Sequence, residues 1–140
     1  MMRSIALALA ALGCVSGQAA AQSPNQFDLI CTGTIESGSS HTATERETVS
    51  DRYRIDLEKM VWCTDDCRST SSIVEANNVV ITLVDTGSSD GNTTHRKAIS
   101  RTTGILTGNI ESRALGAIIF VRTNAQCTRA DFSGLPQAQF

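Results

Sequence analysis

Proline is almost missing from this chain of 140 residues: Pro24 and Pro136 are the only two, and none lies between them. Because proline removes a backbone donor from a β-ladder, a long proline-free segment favours paired strands. Aromatic residues are also few, with four Phe, one Tyr and one Trp. Val, Ile and Leu side chains must therefore fill most of any core. The abundant Ser and Thr residues suit exposed strand faces and turns.

Two kinds of run are missing after residue 21. Basic and acidic residues are interleaved, so the chain offers no basic stripe to a phosphate backbone, and we expect no nucleic-acid partner. The longest apolar run, residues 114–121, is interrupted by Gly116 and is far shorter than the roughly 20 residues of a membrane-spanning helix. We therefore expect a mature chain without a transmembrane segment.

The first 21 residues have the pattern of a secretory signal peptide. Arg3 supplies the positive charge, an apolar segment follows over residues 5–15, and small residues at 19–21 fit cleavage after Ala21. Cleavage leaves one domain, residues 22–140, with 11 basic and 14 acidic residues and a formal charge of −3. We expect it in the periplasm or outside the cell. Lipoprotein processing at Cys14 is the less favoured alternative.

Four cysteines remain in the mature chain, and an even number in a small exported domain predicts two disulfides. Cys63 and Cys67 flank a Thr-Asp-Asp sequence and can close a small loop, which would leave Cys31 to pair with Cys127. Four cysteines allow three pairings, and the spacing does not choose among them. A metal site or a redox pair at Cys63 and Cys67 is less favoured, because zinc needs four ligands and redox pairs usually enclose two residues.

Apolar patterns indicate strands at residues 27–31, 52–57, 79–84 and 117–121, with weaker candidates at 95–101 and 104–106. The segments 79–84 and 117–121 are apolar on both faces, as in central strands. Residues 33–40 and 86–92 are polar and contain glycine, so we expect a loop and a turn there. The pattern predicts an all-β domain, a small antiparallel barrel or sandwich of about six to eight short strands tied by two disulfides.

One segment, residues 45–60, also fits a helix. Thr44 and Glu47 have the spacing of a capping box, and Val49, Tyr53 and Leu57 follow at helical intervals. We favour a strand, because Tyr, Ile and Val are good strand formers and because a helix would turn Ile55 toward solvent.

Scattered motifs along the mature chain form one further pattern. They are Phe27-Asp28-Leu29 with Cys31 and Gly33; Tyr53-Arg54-Ile55-Asp56-Leu57; Trp62-Cys63 with Cys67; Ile99-Ser100-Arg101-Thr102-Thr103-Gly104; and Cys127 with Phe132, Gly134, Pro136 and Phe140. Together they resemble uncharacterised small exported proteins of alphaproteobacteria. The resemblance spans nearly all of the mature chain. It implies a location in the cell envelope and brings no activity with it.

Residues 83–89 read Leu-Val-Asp-Thr-Gly-Ser-Ser and are similar to the active-site loop of aspartic proteases. That chemistry needs two carboxylates that share a proton, so Asp85 would be catalytic only in a homodimer. Gly91 stands where that family places an apolar residue, and Asp, Thr, Gly and Ser are ordinary turn residues. We favour a turn. His41 and His95 have polar neighbours, and we expect both at the surface.

The favoured interpretation is a non-catalytic, exported β-domain that binds an unidentified ligand or another envelope protein, for example as an enzyme inhibitor. Rigid loops on a small disulfide-bonded sheet suit such a role. We expect no cofactor and no metal. The alternatives are a hydrolase that uses Asp85 in a homodimer, and a metal-binding protein that uses Cys63 and Cys67.

Overall fold

Residues 23–136 are described by the structure, a computed structural model, and every regular element among them is a β-strand. The strands are β1 (Gln26–Ser39), β2 (Glu45–Asp56), β3 (Val61–Thr64), β4 (Ser71–Ser72), β5 (Glu75–Ala76), β6 (Val80–Gly87), β7 (Thr93–Ser100), β8 (Ile105–Ala114) and β9 (Ala117–Ala130). They form one curled antiparallel sheet in the order β4-β3-β2-β1-β9-β8-β7-β6-β5. The expected all-β antiparallel class is confirmed, and no helix among these residues could span a membrane. The leader, its cleavage site and Cys14 lie outside the described residues.

The prediction of a loop at residues 33–40 is wrong, because β1 continues to Ser39. Thr34 faces Thr48 of β2 on one side and Asn124 of β9 on the other. Neighbouring strands on both sides supply hydrogen-bond partners for the backbone of this polar segment. The side-chain pattern of the segment does not indicate a strand. The same pairing extends β9 to Ala130, well beyond the apolar residues 117–121.

β2 confirms the strand interpretation of the segment that also fits a helix. It pairs with β1 along its whole length, and its side chains Tyr53 and Ile55 are 1% and 0% exposed. The chain turns after β2, where Oδ1 of the buried Asp56 accepts hydrogen bonds from the N–H groups of Glu58 and Lys59, both at 3.0 Å. Alternate burial against β1 and β3 therefore decides the conformation, and the helical spacing does not.

The short strands β4 and β5 join the two edges of the sheet at one end. β4 pairs with β3 and β5 pairs with β6, although only Ile73 and Val74 separate them. The N–H of Ile73 donates to the carbonyl of Met60 at 2.8 Å, and the N–H of Val74 donates to the carbonyl of Thr82 at 2.9 Å. We call this the closed end. It holds the core, whose buried members are Phe27, Leu29, Cys31, Tyr53, Ile55, Ile73, Ile81, Leu83, Ile99, Leu106, Ala125 and Cys127.

Three turns meet at the opposite end of the sheet, which we call the open end. They are residues 40–44, 88–92 and 115–116. The N–H of Ser40 donates to the carbonyl of Ile118 at 2.9 Å, and the N–H of Arg113 donates to the carbonyl of Asn92 at 2.7 Å. Apolar side chains are less covered here than in the core, since Ile119 is 49% exposed.

Both expected disulfides are confirmed. Cys31 and Cys127 face each other across β1 and β9, while Cys63 and Cys67 close the turn that follows β3. The first bond joins residues 96 apart, which in the chain-entropy model stabilises the fold by roughly 4–5 kcal/mol. The sulfurs of Cys63 and Cys67 are bonded to each other, so in this state neither is a thiolate ligand.

The C-terminal segment, residues 131–136, is held against β1 and β2 by a buried carboxylate. Asp28 is 0% exposed and accepts hydrogen bonds from the Ser133 N–H at 3.2 Å, the Ser133 hydroxyl at 2.6 Å and the Arg52 guanidinium at 3.4 Å. Arg54 donates to the carbonyl of Gly134 at 3.0 Å. A buried carboxylate needs such partners, so Asp28 has a structural role in fixing the end of the chain.

The strand lengths and the place of β6 differ in detail from the expectation. The sheet has nine strands, and β1 and β9 have 14 residues each. β6 lies beside the edge strand β5, and Val79 just before it is 61% exposed, so this segment is not central. Its apolar residues on both faces reflect a bulge between Thr82 and Val84, which lets Leu83 be buried while Val84 also packs against the core.

Gly33 lies where the backbones of β1 and β9 approach each other too closely for a side chain. A Cβ atom added there would overlap the carbonyl oxygen of Asn124 and lie 2.7 Å from Cβ of Ala125. We expect Gly33→Ala to lower the free energy of unfolding by about 1–3 kcal/mol, because the two strands must separate to accept the methyl group. Chemical denaturation of the disulfide-bonded protein measures this change.

Gly87→Ala is the matched control, since the atom nearest to its added Cβ, the carbonyl oxygen of Thr93, is 3.6 Å away. We expect that control to change the free energy of unfolding by less than about 0.5 kcal/mol. Equal effects at the two glycines would contradict the close approach of β1 and β9.

Candidate functional site

The inner face of the sheet continues from the core toward the open end. Along β7, Thr93, His95 and Lys97 are partly buried, whereas Thr94 and Arg96 are exposed. β9 shows the same alternation. The strand register places further residues on this inner face between the core and the open end: Gly33, Ile35, Val49, Asp51, Gly108, Ile110, Val121 and Thr123.

Lys97 and Tyr53 meet at the point where the core ends. The ammonium of Lys97 donates a hydrogen bond to the Tyr53 hydroxyl at 3.3 Å, and its Nζ lies 5.5 Å from the centre of the Tyr53 ring. Trp62 stacks on the same ring with centroids 6.0 Å apart. Three strands, β1, β9 and β8, separate β2 from β7, so this contact exists only because the sheet curls strongly.

Burial changes the proton affinity of both groups. The pKa of Tyr53 rises from 10.0 to about 12, chiefly because burial disfavours the phenolate, and then because of the negative charges of Asp51 and Asp65. Burial lowers the pKa of Lys97, and the charge of Asp51 opposes that shift. Tyr53 is therefore a neutral phenol over the physiological range, and the ammonium of Lys97 is partly stripped of water and forms no ion pair with a described carboxylate.

A cavity of about 200 Å³ opens on the inner face beside Lys97. Most of its lining surface is apolar and comes from Ile35, Ile110 and Val121. The polar residues of the lining are His95, Lys97, Asn109 and Thr123. Gly108 also lines the cavity, and a Cβ atom there would lie 3.7 Å from Cε of Lys97. The missing side chain at this position therefore keeps the space beside the lysine open.

Larger depressions lie on other surfaces, but the charged groups in them already have partners. One of about 370 Å³ on the outer face includes Glu36, which forms an ion pair with Arg46, and Arg122, whose guanidinium lies 4.7 Å from the centre of the Phe120 ring. Within the described part of the chain, no ion pair includes Lys97. Its partner is Tyr53, whose hydroxyl uses only one of the three N–H donors of the ammonium.

Asp85, the candidate catalytic residue, lies near the end of β6 and faces away from Lys97. Its carboxylate accepts a hydrogen bond from Nε of Arg96 at 3.0 Å, and half of its side chain is exposed. Thr86 and Gly87 are still part of the strand, so the expected turn begins at residue 88. A second such carboxylate would have to come from another copy of the chain. The Asp85 hydrolase therefore stays a prediction.

The two histidines are placed differently. His41 is exposed in the turn between β1 and β2, as expected. His95 is partly buried and lines the inner cavity, so the expectation of an exposed surface position is wrong for this residue. The polar residues directly beside His95 in the sequence are misleading, because adjacent residues of a strand point to opposite faces of the sheet.

Sequence reasoning missed Tyr53 and Lys97 as neighbours. A usable signal exists: Lys97 lies two residues before the buried Ile99, and a lysine at such a position belongs to the inner face. The alternation does not reveal that β2 and β7 come into contact, because that depends on the curvature of the whole sheet.

Tyr53 is the only tyrosine in the chain, so its ionisation can be followed alone by phenolate absorbance in the near ultraviolet. We expect a midpoint near pH 12 in the folded protein and near 10 in denaturant. Between these values the folded state binds more protons than the unfolded state, so stability should fall as pH rises through this window. Asp51→Asn should lower the folded midpoint, since the charge of Asp51 raises it. An unchanged midpoint near pH 10 in folded protein would refute the burial of this phenol.

Comparison with protein-family models, with curated proteins and with solved structures found no match to the chain. The geometry of the inner face is therefore what indicates a function. There the structure brings together a neutral buried phenol, a half-buried ammonium and an aliphatic cavity.

Proposed function

We propose that this chain is an exported, non-catalytic binding domain that holds a small aliphatic ligand in the inner cavity. One observation carries the proposal: a half-buried lysine without an ion pair among the described residues stands at the end of a cavity with aliphatic walls. Binding sites in proteins typically combine mostly apolar walls with a few polar groups that orient the ligand. The cavity lies on the inner face between the core and the open end of the sheet.

The proton affinity of Tyr53 argues against a role for this phenol as a general base. A general base works best when its pKa lies near the ambient pH. The pKa of Tyr53 moves away from that range, to about 12, and the tyrosine is only 1% exposed. A group so placed orients Lys97 and does not reach a substrate. Lys97 is then a ligand-binding group with a fixed position.

The disulfides support the export part of the proposal. Disulfides form and persist in oxidising compartments such as the bacterial periplasm and the extracellular medium, and they are rare in the cytosol. The chain has two of them, one of which joins the central strands β1 and β9. This agrees with the leader that the sequence predicts at residues 1–21.

Binding in the cavity can be tested with octanol as a neutral aliphatic probe. We expect octanol to shift the methyl NMR signals of Ile35, Ile110 and Val121, because these side chains form the cavity walls. Val121→Phe should weaken this binding by about tenfold or more, since the added ring occupies a cavity of only about 200 Å³.

Ile118→Phe is the control for that experiment. Ile118 is on β9 but points to the outer face, so the same added bulk should leave octanol binding unchanged. If octanol and the other eight-carbon probes described below leave the three wall methyl signals unmoved, the inner cavity is not a binding site.

A second candidate function, docking to another envelope protein, is favoured by the turn between β8 and β9. Leu115 is fully exposed there, and its φ of 50° lies in the left-handed region that leucine avoids. An apolar side chain in a strained backbone conformation with no intramolecular cover weakens the fold, and such positions occur where a partner uses the side chain. The chemistry fits a protein with a small apolar pocket.

Leu115→Asn tests this docking proposal. It gives the turn an Asn-Gly pair, which favours this type of hairpin, so we expect the free energy of unfolding to rise by about 1 kcal/mol. Cross-linking in cells that express the protein should lose its partner with Leu115→Asn and retain it with Val79→Ala, a change at another exposed apolar residue. A partner retained by both variants would show that the turn is not the docking element.

A further inference from the structure

We infer that the inner cavity selects a monocarboxylate with a short aliphatic chain, whose carboxylate pairs with Lys97. This inference rests on the proposed function and specifies the chemistry of its ligand. The ammonium of Lys97 has three N–H donors, and one of them is directed to the Tyr53 hydroxyl. Among the described residues no acceptor takes the other two. A carboxylate has two oxygens that can accept them in charge-assisted hydrogen bonds.

The charge on the inner face favours an anion of a particular kind. Lys97 supplies one positive charge, while Asp51 is a carboxylate on the same face, close enough to influence the proton affinity of both Lys97 and Tyr53. A ligand with one negative charge is attracted by Lys97 and meets one repelling charge. A dianionic phosphate doubles both the attraction to Lys97 and the repulsion from Asp51, but the cost of removing it from water rises with the square of its charge. A partly apolar cavity therefore favours a carboxylate over a phosphate.

His95 is the remaining polar ring in the cavity wall. It lies two residues before Lys97 on β7 and therefore on the same face. Its ring nitrogens can donate a further hydrogen bond to a bound oxygen. A neutral alcohol would use only part of this donor set, and an aliphatic amine would bring a second ammonium beside Lys97.

The volume and walls of the cavity limit the aliphatic part of the ligand. An apolar cavity of about 150 Å³ accommodates a benzene ring, so the space of about 200 Å³ here suits a chain of roughly six to eight carbon atoms. The methyl groups of Ile35, Ile110 and Val121 provide the apolar contact. Octanoate therefore matches both the polar end and the length of the site.

The experiment compares four eight-carbon probes: octanoate, octanol, octylamine and octyl phosphate. Each is titrated into the disulfide-bonded protein while the methyl signals of Ile35, Ile110 and Val121 are followed by NMR. We expect octanoate to bind about tenfold or more tightly than each of the other three, the factor that a charge-assisted hydrogen bond typically supplies. This comparison uses the unmodified protein and does not depend on the folding of a variant.

Lys97→Met then tests the residue itself. We expect it to weaken octanoate binding by about tenfold or more and to leave octanol binding unchanged within about twofold, because methionine keeps the apolar stem and removes the charge. Arg96→Met is the matched control, because it removes one positive charge from the residue just before Lys97, whose side chain lies on the outer face. We expect it to leave the binding of both probes unchanged.

The outcomes separate this inference from the proposed function. Equal binding of octanol and octanoate, with no effect of Lys97→Met, would keep the cavity as a binding site and overturn the carboxylate assignment. Preference for octyl phosphate would also overturn it, because the site would then accept a second negative charge despite the cost of removing it from water. If none of the four probes moves the wall methyl signals, both the proposed binding function and the assignment of a carboxylate ligand are wrong.

Discussion

The pairing of β1 with β9 is the constraint on which the rest of the sheet depends. These strands are the first and the last among residues 23–136, yet they lie side by side in the middle of the sheet. A disulfide joins them at Cys31 and Cys127, and Gly33 allows their backbones to approach closely. β2 and β3 extend from one side of this pair, and β8, β7 and β6 extend from the other. Any change that separates the pair therefore alters the position of every other strand.

The curl that follows from this arrangement divides the inner face into two parts. Residues 71–76 join both edges of the sheet at the closed end, where the largest buried side chains are Tyr53, Phe27 and several leucines and isoleucines. A chain with so few aromatic residues has too little apolar volume to fill the whole inner face. The core therefore occupies the closed end, and a cavity with half-covered aliphatic walls remains toward the open end.

Lys97 stands at the boundary between these two parts, and its position links stability to function. Charged side chains on the outer face form pairs with one another, as Asp85 does with Arg96 and Glu36 does with Arg46. Lys97 instead loses water on the inner face and receives only the hydroxyl and ring of Tyr53 in exchange. A partly desolvated charge of this kind costs free energy in the empty protein, and binding of an anion offsets that cost. Natural proteins accept such local costs where function requires them.

The amino-acid sequence establishes the fold class, the number of disulfides and the strand at residues 52–57, because period-two burial and an even cysteine count are local and compositional signals. The pairing of the four cysteines depends on which strands lie side by side. The sequence did not determine that the polar residues 33–39 form a strand, since their partners lie in β2 and β9 and leave no mark on the segment itself. Only the tertiary structure decided which side chains meet across the sheet. Tyr53 contacts Lys97 over three intervening strands, and His95 joins them on the inner face. The alternation along a strand tells which face of the sheet a side chain occupies. The distance between two side chains on separate strands depends on the twist and closure of the complete sheet.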